Sequence, residues 1–212
     1  MLNDEVKDFI KSEKIIAVIR ADLKQELFFK AVHALFEGGI RCIEITMTTP
    51  GALTIIESLK KEWKGKDIII GTGTVLDATT CRLAILAGTD FIVTPTLLPE
   101  VISTAKNYGV VSMCGGFTPT ELLQAWQTGA DFVKLFPASV GGPEYIKAVL
   151  GPLPHLPIVP TGGIHHENAR KFLEAGAVAL GVGGNLVNKK LLASENYKLI
   201  TETAQLYKSA IS

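Results

Sequence analysis

The sequence predicts a (β/α)8 barrel, a closed ring of eight parallel strands surrounded by helices, with an extra helix at the N-terminus. Two observations predict this fold. Short β-rich stretches occur eight times, roughly two dozen residues apart, with helical patterns between them. Four of the strands follow a similar glycine-containing segment, namely EGGI, LAGTD, QTGAD and EAGAV. A helix–glycine–strand unit that is repeated eight times with parallel strands closes into a barrel.

The eight predicted strands are short runs rich in β-branched residues. In chain order they are IIAVIR (15–20), RCIEIT (41–46), DIIIGTGT (67–74), DFIVTP (90–95), GVVSMC (109–114), DFVKLF (131–136), PIVPTG (157–162) and VALGVG (178–183). Many of the helical patterns between them end at a glycine, which suits a left-handed C-cap. The stretch TPTE (118–121) predicts a helix start, with Thr118 or Thr120 as the N-cap and Pro119 in the first turn.

The ends of the chain complete this plan. Residues 1–13 are predicted to form an extra helix over the barrel floor, and residues 194–212 the closing helix. The alternative is an open, doubly wound sheet. Eight strands in 212 residues, and no dinucleotide-binding G-x-G-x-x-G at the first turn, favour the barrel. Since no linker or low-complexity segment interrupts the chain, we predict one domain over residues 1–212.

Composition restricts the partners and the compartment. The 21 Lys and Arg residues balance the 21 Asp and Glu residues, so no basic surplus indicates binding to nucleic acid or to an anionic membrane. The apolar runs are too short to span a bilayer, and early acids and lysines argue against a secretory signal. Cys42, Cys81 and Cys114 lie far apart with no C-x-x-C, which predicts reduced, packed thiols in a cytoplasmic protein.

A lysine in the sixth strand points to chemistry. Lys134 stands between Val133 and Leu135, and an ammonium buried among such neighbours loses its hydration. The position therefore needs a counter-charge or a function. Because side chains alternate along a strand, Phe132, Lys134 and Phe136 are predicted to share one face.

The same alternation groups polar residues in other strands. It places together Ile16, Val18 and Arg20 in strand one, Cys42, Glu44 and Thr46 in strand two, and Ile70, Thr72 and Thr74 in strand three. If these faces line the barrel, Arg20, Glu44, Thr74 and Lys134 converge at the carboxyl ends of the strands, where barrel enzymes have their active sites. The alternative is a Lys134–Glu44 ion pair that serves only the fold. Such a pair would add little stability, because desolvation offsets the attraction.

A lysine in a dry pocket can attack a carbonyl group. The ordinary lysine pKa is about 10.4, and an apolar wall lowers it toward ~7–8, as in lysines that form Schiff bases. The protonated imine withdraws electrons and stabilises a carbanion or enamine at the neighbouring carbon. Glu44 is the natural base for the accompanying proton transfers. An amine and a carboxylate at one end of a barrel suit aldol cleavage.

Two glycine loops indicate an anion site. The stretches VPTGGIHHENAR (159–170) and GVGGNLV (181–187) each place glycines after a strand and before a helical segment, where backbone N–H groups can approach an anion. The loops after strands seven and eight are the usual phosphate site of this architecture. Ordinary tight turns are the alternative. His165 and His166 are adjacent and point apart, and no third ligand has suitable spacing, so we predict no metal.

Several motifs together resemble one family over nearly the whole chain. The stretches IEITMTTP, GTGTVLD, FIVTPTL, GFTPTELLQAW, FVKLFPAS, PTGGI and GVGGNLV resemble those of the class I 2-keto-3-deoxy-6-phosphogluconate (KDPG) aldolases, which often also act on 4-hydroxy-2-oxoglutarate (KHG). The resemblance implies that Lys134 forms the Schiff base, that Glu44 moves the protons and that Thr74 contacts the pyruvate part of the substrate. It also implies a homotrimer in the cytoplasm, with no metal and no cofactor.

The same resemblance implies a phosphate site built from backbone groups. It maps to four glycines, Gly162, Gly163, Gly183 and Gly184. Relatives often have a serine after the second glycine of the last loop, where this chain has Asn185, whose amide can still donate a hydrogen bond.

Two other positions depart from the family pattern. Many relatives carry an arginine that binds the pyruvate carboxylate four residues after the catalytic glutamate, where this chain has Thr48. Arg20 is the predicted substitute, because a guanidinium fork matches a carboxylate. Cys114, Gly115 and Gly116 replace a Pro-Gly that is followed by a bulkier residue, which predicts a looser loop after strand five.

The residues and the resemblance together predict reversible retro-aldol cleavage of KDPG to pyruvate and glyceraldehyde 3-phosphate, and cleavage of KHG to pyruvate and glyoxylate. Thr48, Thr161 and Phe136 are predicted to complete the pyruvate part of the site. The alternatives are an aldolase for the galactonate epimer, a sugar-phosphate isomerase or epimerase, and a non-catalytic phosphosugar-binding regulator. The fold alone does not decide between them, since barrels host many chemistries.

Overall fold

The computed structural model describes residues 2–22 and 24–212, and eight strands form its sheet. They are β1 (Ile15–Ile19), β2 (Cys42–Thr46), β3 (Ile69–Gly73), β4 (Phe91–Val93), β5 (Val111–Gly116), β6 (Phe132–Leu135), β7 (Ile158–Pro160) and β8 (Leu180–Val182). All pairs are parallel, in the order β7-β6-β5-β4-β3-β2-β1-β8. A parallel bridge between Thr161 and Gly181 joins the two ends and closes the barrel.

Helices alternate with the strands as predicted. Helix α1 (Asn3–Glu13) precedes β1, and the helices that follow β1 to β7 in turn are α2 (Gln25–Glu37), α3 (Ala52–Glu62), α4 (Ala78–Leu86), α5 (Pro99–Asn107), α6 (Pro119–Thr128), α7 (Gly142–Leu150) and α8 (His166–Glu174). Two helices follow β8, the short α9 (Lys189–Ala193) and the long α10 (Tyr197–Ile211). The closing helix predicted over 194–212 is therefore α10, and α9 is an addition. None of the helices in the described ranges is both long and apolar enough to cross a membrane.

The inside of the barrel is a separate apolar cluster. Its strand residues are Ile16, Cys42, Ile69, Phe91, Val93, Val111, Met113, Phe132 and Val159. Val6 and Ile10 of α1 belong to the same cluster and are buried. Helix α1 therefore seals the barrel floor with apolar side chains, as the sequence predicts. The larger cluster fills the layer between the strands and the outer helices.

The predicted inward faces of β1, β2 and β6 are confirmed, and that of β3 is wrong. In β3 the interior residue is Ile69, and Ile70 belongs to the outer layer. A Cβ atom on Gly71 would overlap the ring of an interior phenylalanine, so Gly71 and Gly73 face inward and Thr72 faces outward. The strands of a parallel barrel are covered, and therefore apolar, on both faces. The three consecutive isoleucines at the start of this stretch thus did not indicate which side chains face the interior.

The loop after β5 is held firmly to helix α6. Thr118 Oγ1 accepts a hydrogen bond from the Glu121 backbone N–H at 3.3 Å, and the Glu121 carboxylate accepts one from the Thr118 N–H at 2.8 Å. This reciprocal capping box makes Thr118 the N-cap, rather than Thr120. Gly115 N–H donates to Thr94 Oγ1 at 3.1 Å. The looser loop predicted after strand five is therefore not found.

The three cysteines are free and buried, as predicted. Burial raises the pKa of each thiol, and that of Cys81 is raised to about 11. A thiol with a raised pKa is a poor nucleophile at neutral pH, because little thiolate is present. Their role is packing.

Candidate active site

Lys134 and Glu44 lie at the carboxyl end of the barrel and are both buried. Lys134 in β6 is 6% exposed and Glu44 in β2 is 2% exposed. The register of the sheet places Glu44 beside Gly71 of β3, and Lys134 beside Gly115 of β5. Both residues belong to inward-facing sets, since Cys42 and Phe132, each two positions earlier, are interior. The predicted convergence of an amine and a carboxylate is therefore present.

The two charged groups influence each other without forming an ion pair. Burial raises the pKa of the Glu44 carboxyl above its ordinary value of 4.5, and the positive charges of Lys134 and Arg20 act in the opposite direction. Glu44 Oε1 accepts no hydrogen bond within the described ranges. Within the described ranges, Lys134 Nζ does not lie within 4.0 Å of either carboxylate oxygen of Glu44. The ion pair that would serve only the fold is therefore not formed. An unpaired, buried carboxylate oxygen calls for a functional explanation.

Gly73, the last residue of β3, makes room for this carboxylate. A Cβ atom at Gly73 would overlap Glu44 Oε1 and would also lie against Glu44 Cγ. Only glycine at position 73 allows the Glu44 side chain to lie where it does. Gly73 could not be recognised as a site residue from the sequence, because a glycine in GTGT is equally compatible with an ordinary strand end.

Phe136 lies beside the amine. Its ring centroid is 5.4 Å from Lys134 Nζ, which is within the range of a cation–π contact. Phe136 is 39% exposed, so the ring contacts both the buried lysine and the solvent. Thr161 is 9% exposed, and a Cβ atom at Gly181 would overlap its hydroxyl, which places the Thr161 side chain across the closing seam of the barrel.

Two threonines lie just after β2, the strand of Glu44, and after the neighbouring strand β3. Thr74 has φ +56°, a left-handed conformation that is unfavourable for a β-branched residue and is found mainly where function requires it. Thr48 is exposed, and its Oγ1 lies 2.9 Å from Oγ1 of the buried Thr46. The position of the family's arginine is thus occupied by a short hydroxyl side chain that is held at the end of β2.

A cavity of about 460 Å³ opens between the ends of β1, β6, β7 and β8. Its lining includes Arg20, Phe136, Thr161, Gly162, Gly163, Gly183, Gly184 and Asn185. Arg20 also acts on the Glu44 carboxyl, and Phe136 also contacts Lys134, so the cavity adjoins the buried pair. A second cavity of similar volume, near Lys60 and Asp90, lies at the opposite end of β3 and contains none of the predicted site residues.

The four glycines of this cavity carry free backbone donors. The N–H groups of Gly162, Gly163, Gly183 and Gly184 donate to no acceptor in the part of the chain that the structure describes. Gly162 and Gly163 have φ +95° and +73°, and a Cβ atom at Gly163 would lie 2.5 Å from Ser139 Cβ. Free N–H groups in such a loop are suited to an anion. We refer to these four glycines as the anion cradle.

Asn185 connects the two loops of the anion cradle. Its Nδ2 donates to the Ile164 carbonyl oxygen at 2.9 Å. One of the two amide hydrogens of Asn185 is therefore used within the protein. The second amide hydrogen remains available to a ligand, so a role for Asn185 in phosphate binding stays a prediction.

Comparison with known proteins decides the family. The sequence model of the KDPG and KHG aldolases matches residues 6–203. The chain belongs to this family. The 2-dehydro-3-deoxy-phosphogluconate aldolase of Haemophilus influenzae is 32% identical to this aldolase over 209 residues, covering 96% of this chain and 97% of that protein. The probable 2-dehydro-3-deoxy-6-phosphogalactonate aldolase of Rhizobium meliloti is 38% identical over 184 residues, covering 85% of each chain.

A solved structure agrees with the fold and with the chemistry of the family. The KDPG aldolase of Legionella pneumophila, with pyruvate captured at low pH as a covalent carbinolamine intermediate, is similar to this aldolase with a TM-score of 0.86. The two are 28% identical, and the match covers 94% of this chain and 96% of that chain. A carbinolamine is the adduct that an amine forms with a ketone before the imine.

The contact between Gly73 and Glu44 yields a first prediction. Gly73→Ala is expected to displace the Glu44 carboxylate and to lower kcat for aldol cleavage by about 100-fold or more, because catalysis depends on near-ångström placement of the base. The matched control is Gly151→Ala, where the added Cβ atom would have its nearest neighbour at 3.6 Å. Steady-state kinetics and thermal melting of both variants provide the measurement. An active Gly73→Ala enzyme would contradict the assignment.

Proposed function

We propose that this aldolase cleaves KDPG reversibly to pyruvate and glyceraldehyde 3-phosphate through a Schiff base on Lys134. The observation that carries the proposal is that Lys134 and Glu44 are both buried and, within the described ranges, form no ion pair, close to a cavity that is lined by the anion cradle and by Arg20 and Phe136. KDPG has a ketone at one end for the amine and a phosphate at the other end for the free N–H groups. One extended substrate therefore uses both halves of the site.

The chemistry begins at the ketone. The Lys134 amine attacks C2 to give a carbinolamine, which takes up a proton and loses water to form a protonated imine. Glu44 takes the proton of the C4 hydroxyl, the C3–C4 bond breaks, and its electron pair moves into the imine to give an enamine. The aldehyde leaves, C3 takes up a proton, and water hydrolyses the imine to release pyruvate and the free lysine.

The remaining side chains orient the substrate. Arg20 binds the C1 carboxylate, a role supported by its place in the cavity and its effect on the Glu44 carboxyl. Thr48, Thr74 and Thr161 donate hydrogen bonds to the oxygen atoms of the pyruvate part, and Phe136 packs on the face of the imine. The anion cradle and Asn185 bind the phosphate.

The relatives favour one second candidate substrate, the galactonate epimer, which differs from KDPG only in its configuration at C4. The Rhizobium meliloti relative carries the phosphogalactonate name, and a 33% identical relative from Escherichia coli is named KHG/KDPG aldolase. We expect pyruvate release to be fastest with KDPG, slower with its galactonate epimer and with KHG, and absent in Lys134→Ala. A coupled assay of pyruvate with the three substrates tests this expectation. Faster release from the epimer would assign the second candidate, and release by Lys134→Ala would contradict the Schiff-base mechanism.

We also propose that the aldolase is a cytoplasmic homotrimer. A related chain, 29% identical with a TM-score of 0.85, occurs in a cage designed by fusing symmetric oligomeric domains. The match covers 93% of this chain and 71% of that chain. Three free cysteines agree with a reducing compartment. Light scattering should give three times the 22.7 kDa mass of one chain.

A further inference from the structure

The backbone carbonyl of Ile164 receives two side-chain hydrogen bonds that the proposed chemistry does not use. Asn185 Nδ2 donates to it at 2.9 Å, and the hydroxyl of Tyr207 donates to it at 2.9 Å. Tyr207 belongs to α10 and is 0% exposed. Ile164 directly follows the two glycines of the first cradle loop. The last helix of the protein is thus hydrogen-bonded to the loop that is proposed to hold the phosphate.

A third side chain fixes the adjoining peptide groups. Asn168 of α8 donates from Nδ2 to the Gly163 carbonyl at 3.0 Å and accepts at Oδ1 from the His165 N–H at 2.8 Å. In a planar trans peptide the C=O and the next N–H point in opposite directions. The Asn168 bond to the Gly163 carbonyl therefore turns the Ile164 N–H away from Asn168. This N–H has no acceptor in the described ranges, and Ile164 lines the cavity.

The position of Tyr207 is itself fixed by the packing of α10 on α8. Arg170 of α8 donates from Nε to the Ala210 carbonyl at 2.9 Å and from its guanidinium to the Ser212 carbonyl. The ring of His166 meets the Tyr207 ring edge-on, with centroids 5.9 Å apart. Burial raises the pKa of the Tyr207 hydroxyl, so it remains a neutral donor at every working pH. Because it is buried, the Tyr207 hydroxyl donates its hydrogen bond to the loop and does not contact the solvent.

We propose that Tyr207 and Asn168 are positioning residues for the far-end phosphate of the substrate. They fix the two peptide groups that follow Gly163: Asn168 holds the Gly163 carbonyl, which leaves the Ile164 N–H to the phosphate dianion, and Tyr207 holds the Ile164 carbonyl away from the anion. Without these bonds the peptides can rotate, and a carbonyl oxygen in the place of an N–H repels an anion. This inference rests on the proposed function, since it concerns the phosphate of that substrate.

The test compares Tyr207→Phe with a matched variant of the same helix. Tyr207→Phe removes only the hydroxyl and should raise KM for KDPG about 5- to 10-fold with kcat within about twofold, as expected for one lost buried hydrogen bond. Inhibition by inorganic phosphate should weaken by the same factor. For the same keto acid without its phosphate, kcat/KM should change by less than about twofold. Thr201→Val, which removes the bond from Thr201 Oγ1 to the Ala34 carbonyl on another side of α10, should leave all these values unchanged.

Other outcomes overturn the proposal. Tyr207 would be a purely structural residue if Tyr207→Phe lowered kcat/KM equally for the substrates with and without the phosphate. The same conclusion would follow if Thr201→Val had the same effects, or if KM for KDPG did not change in Tyr207→Phe. If Tyr207→Phe does not fold, Asn168→Ala provides the same comparison, with Asn196→Ala as its control, since Asn196 caps α10 through the Leu199 N–H. Trapping of pyruvate on the wild-type enzyme by borohydride does not involve the phosphate loop. Its failure would count against the proposed function, and its success with unchanged KM values would count against this inference alone.

Discussion

Lys134→Met is expected to abolish pyruvate release, with a loss of about 10⁴-fold or more in kcat, because methionine occupies a similar volume but has no amine. The fold should survive the change. Lys134 forms no ion pair within the described ranges, and its stem already lies among buried residues, where methionine packs well. Kinetics with KDPG and thermal melting of the same samples provide the measurement.

Chemical trapping separates the imine from a purely electrostatic role of the lysine. With pyruvate and borohydride, the wild-type chain should gain about 72 Da on the peptide that contains Lys134, the mass of a reduced pyruvate imine. Lys134→Met should gain nothing. Lys134→Arg keeps the positive charge and should be as inactive as the methionine variant. Turnover by Lys134→Arg, or an adduct on a different lysine, would contradict the assignment.

Glu44→Gln is expected to lower kcat by about 10³-fold, within the usual range for loss of a general base. Glutamine keeps the shape of the side chain, so the effect reports the lost proton transfer. The wild-type pH profile should reveal the same group. Glu44 must be ionised to accept the C4 proton, so activity rises with pH as this carboxyl loses its proton. Because burial raises the pKa of the Glu44 carboxyl, the rise of activity on the acidic side of the pH profile, its acidic limb, should have its midpoint above pH 4.5.

The acidic limb also provides the control. In Glu44→Gln the remaining activity should no longer rise across that pH range, since the titrating group has been removed. Glu174→Gln changes an exposed carboxylate at the end of α8 and should leave both kcat and the limb unchanged. If the limb persists in Glu44→Gln, another group is the base, and Glu44 would be assigned to orienting the substrate.

The barrel could be predicted from the sequence because its signal is repeated. Eight strand patterns at similar intervals, several preceded by the same glycine segment, identify the unit even where its ends are uncertain. The inward faces of β2 and β6 could also be predicted, because Glu44 and Lys134 are charged residues in otherwise apolar runs. In β3 the inward positions are Ile69, Gly71 and Gly73, and two glycines have no side chain that could mark a face.

The parts of the site that the sequence did not reveal depend on distances between remote positions. Gly73 matters because it adjoins a carboxylate from another strand, and Tyr207 because its hydroxyl reaches a carbonyl 43 residues earlier in the chain. Asn185 could be recognised as a polar residue in a glycine loop, but its bond to Ile164 could not. Such roles follow from the folded geometry, and no local pattern encodes them.

The apolar cluster that fills the barrel and is closed below by Val6 and Ile10 of α1 leaves the carboxyl end of the strands as the side from which a molecule can approach Lys134. Substrates therefore enter, and products leave, at this end, where the cavity with the anion cradle lies. In the proposed cleavage, the phosphorylated aldehyde lies nearer the anion cradle and leaves first, while pyruvate stays attached until its imine is hydrolysed. In the synthetic direction pyruvate must enter first, so the geometry imposes a compulsory order of binding on a two-substrate reaction.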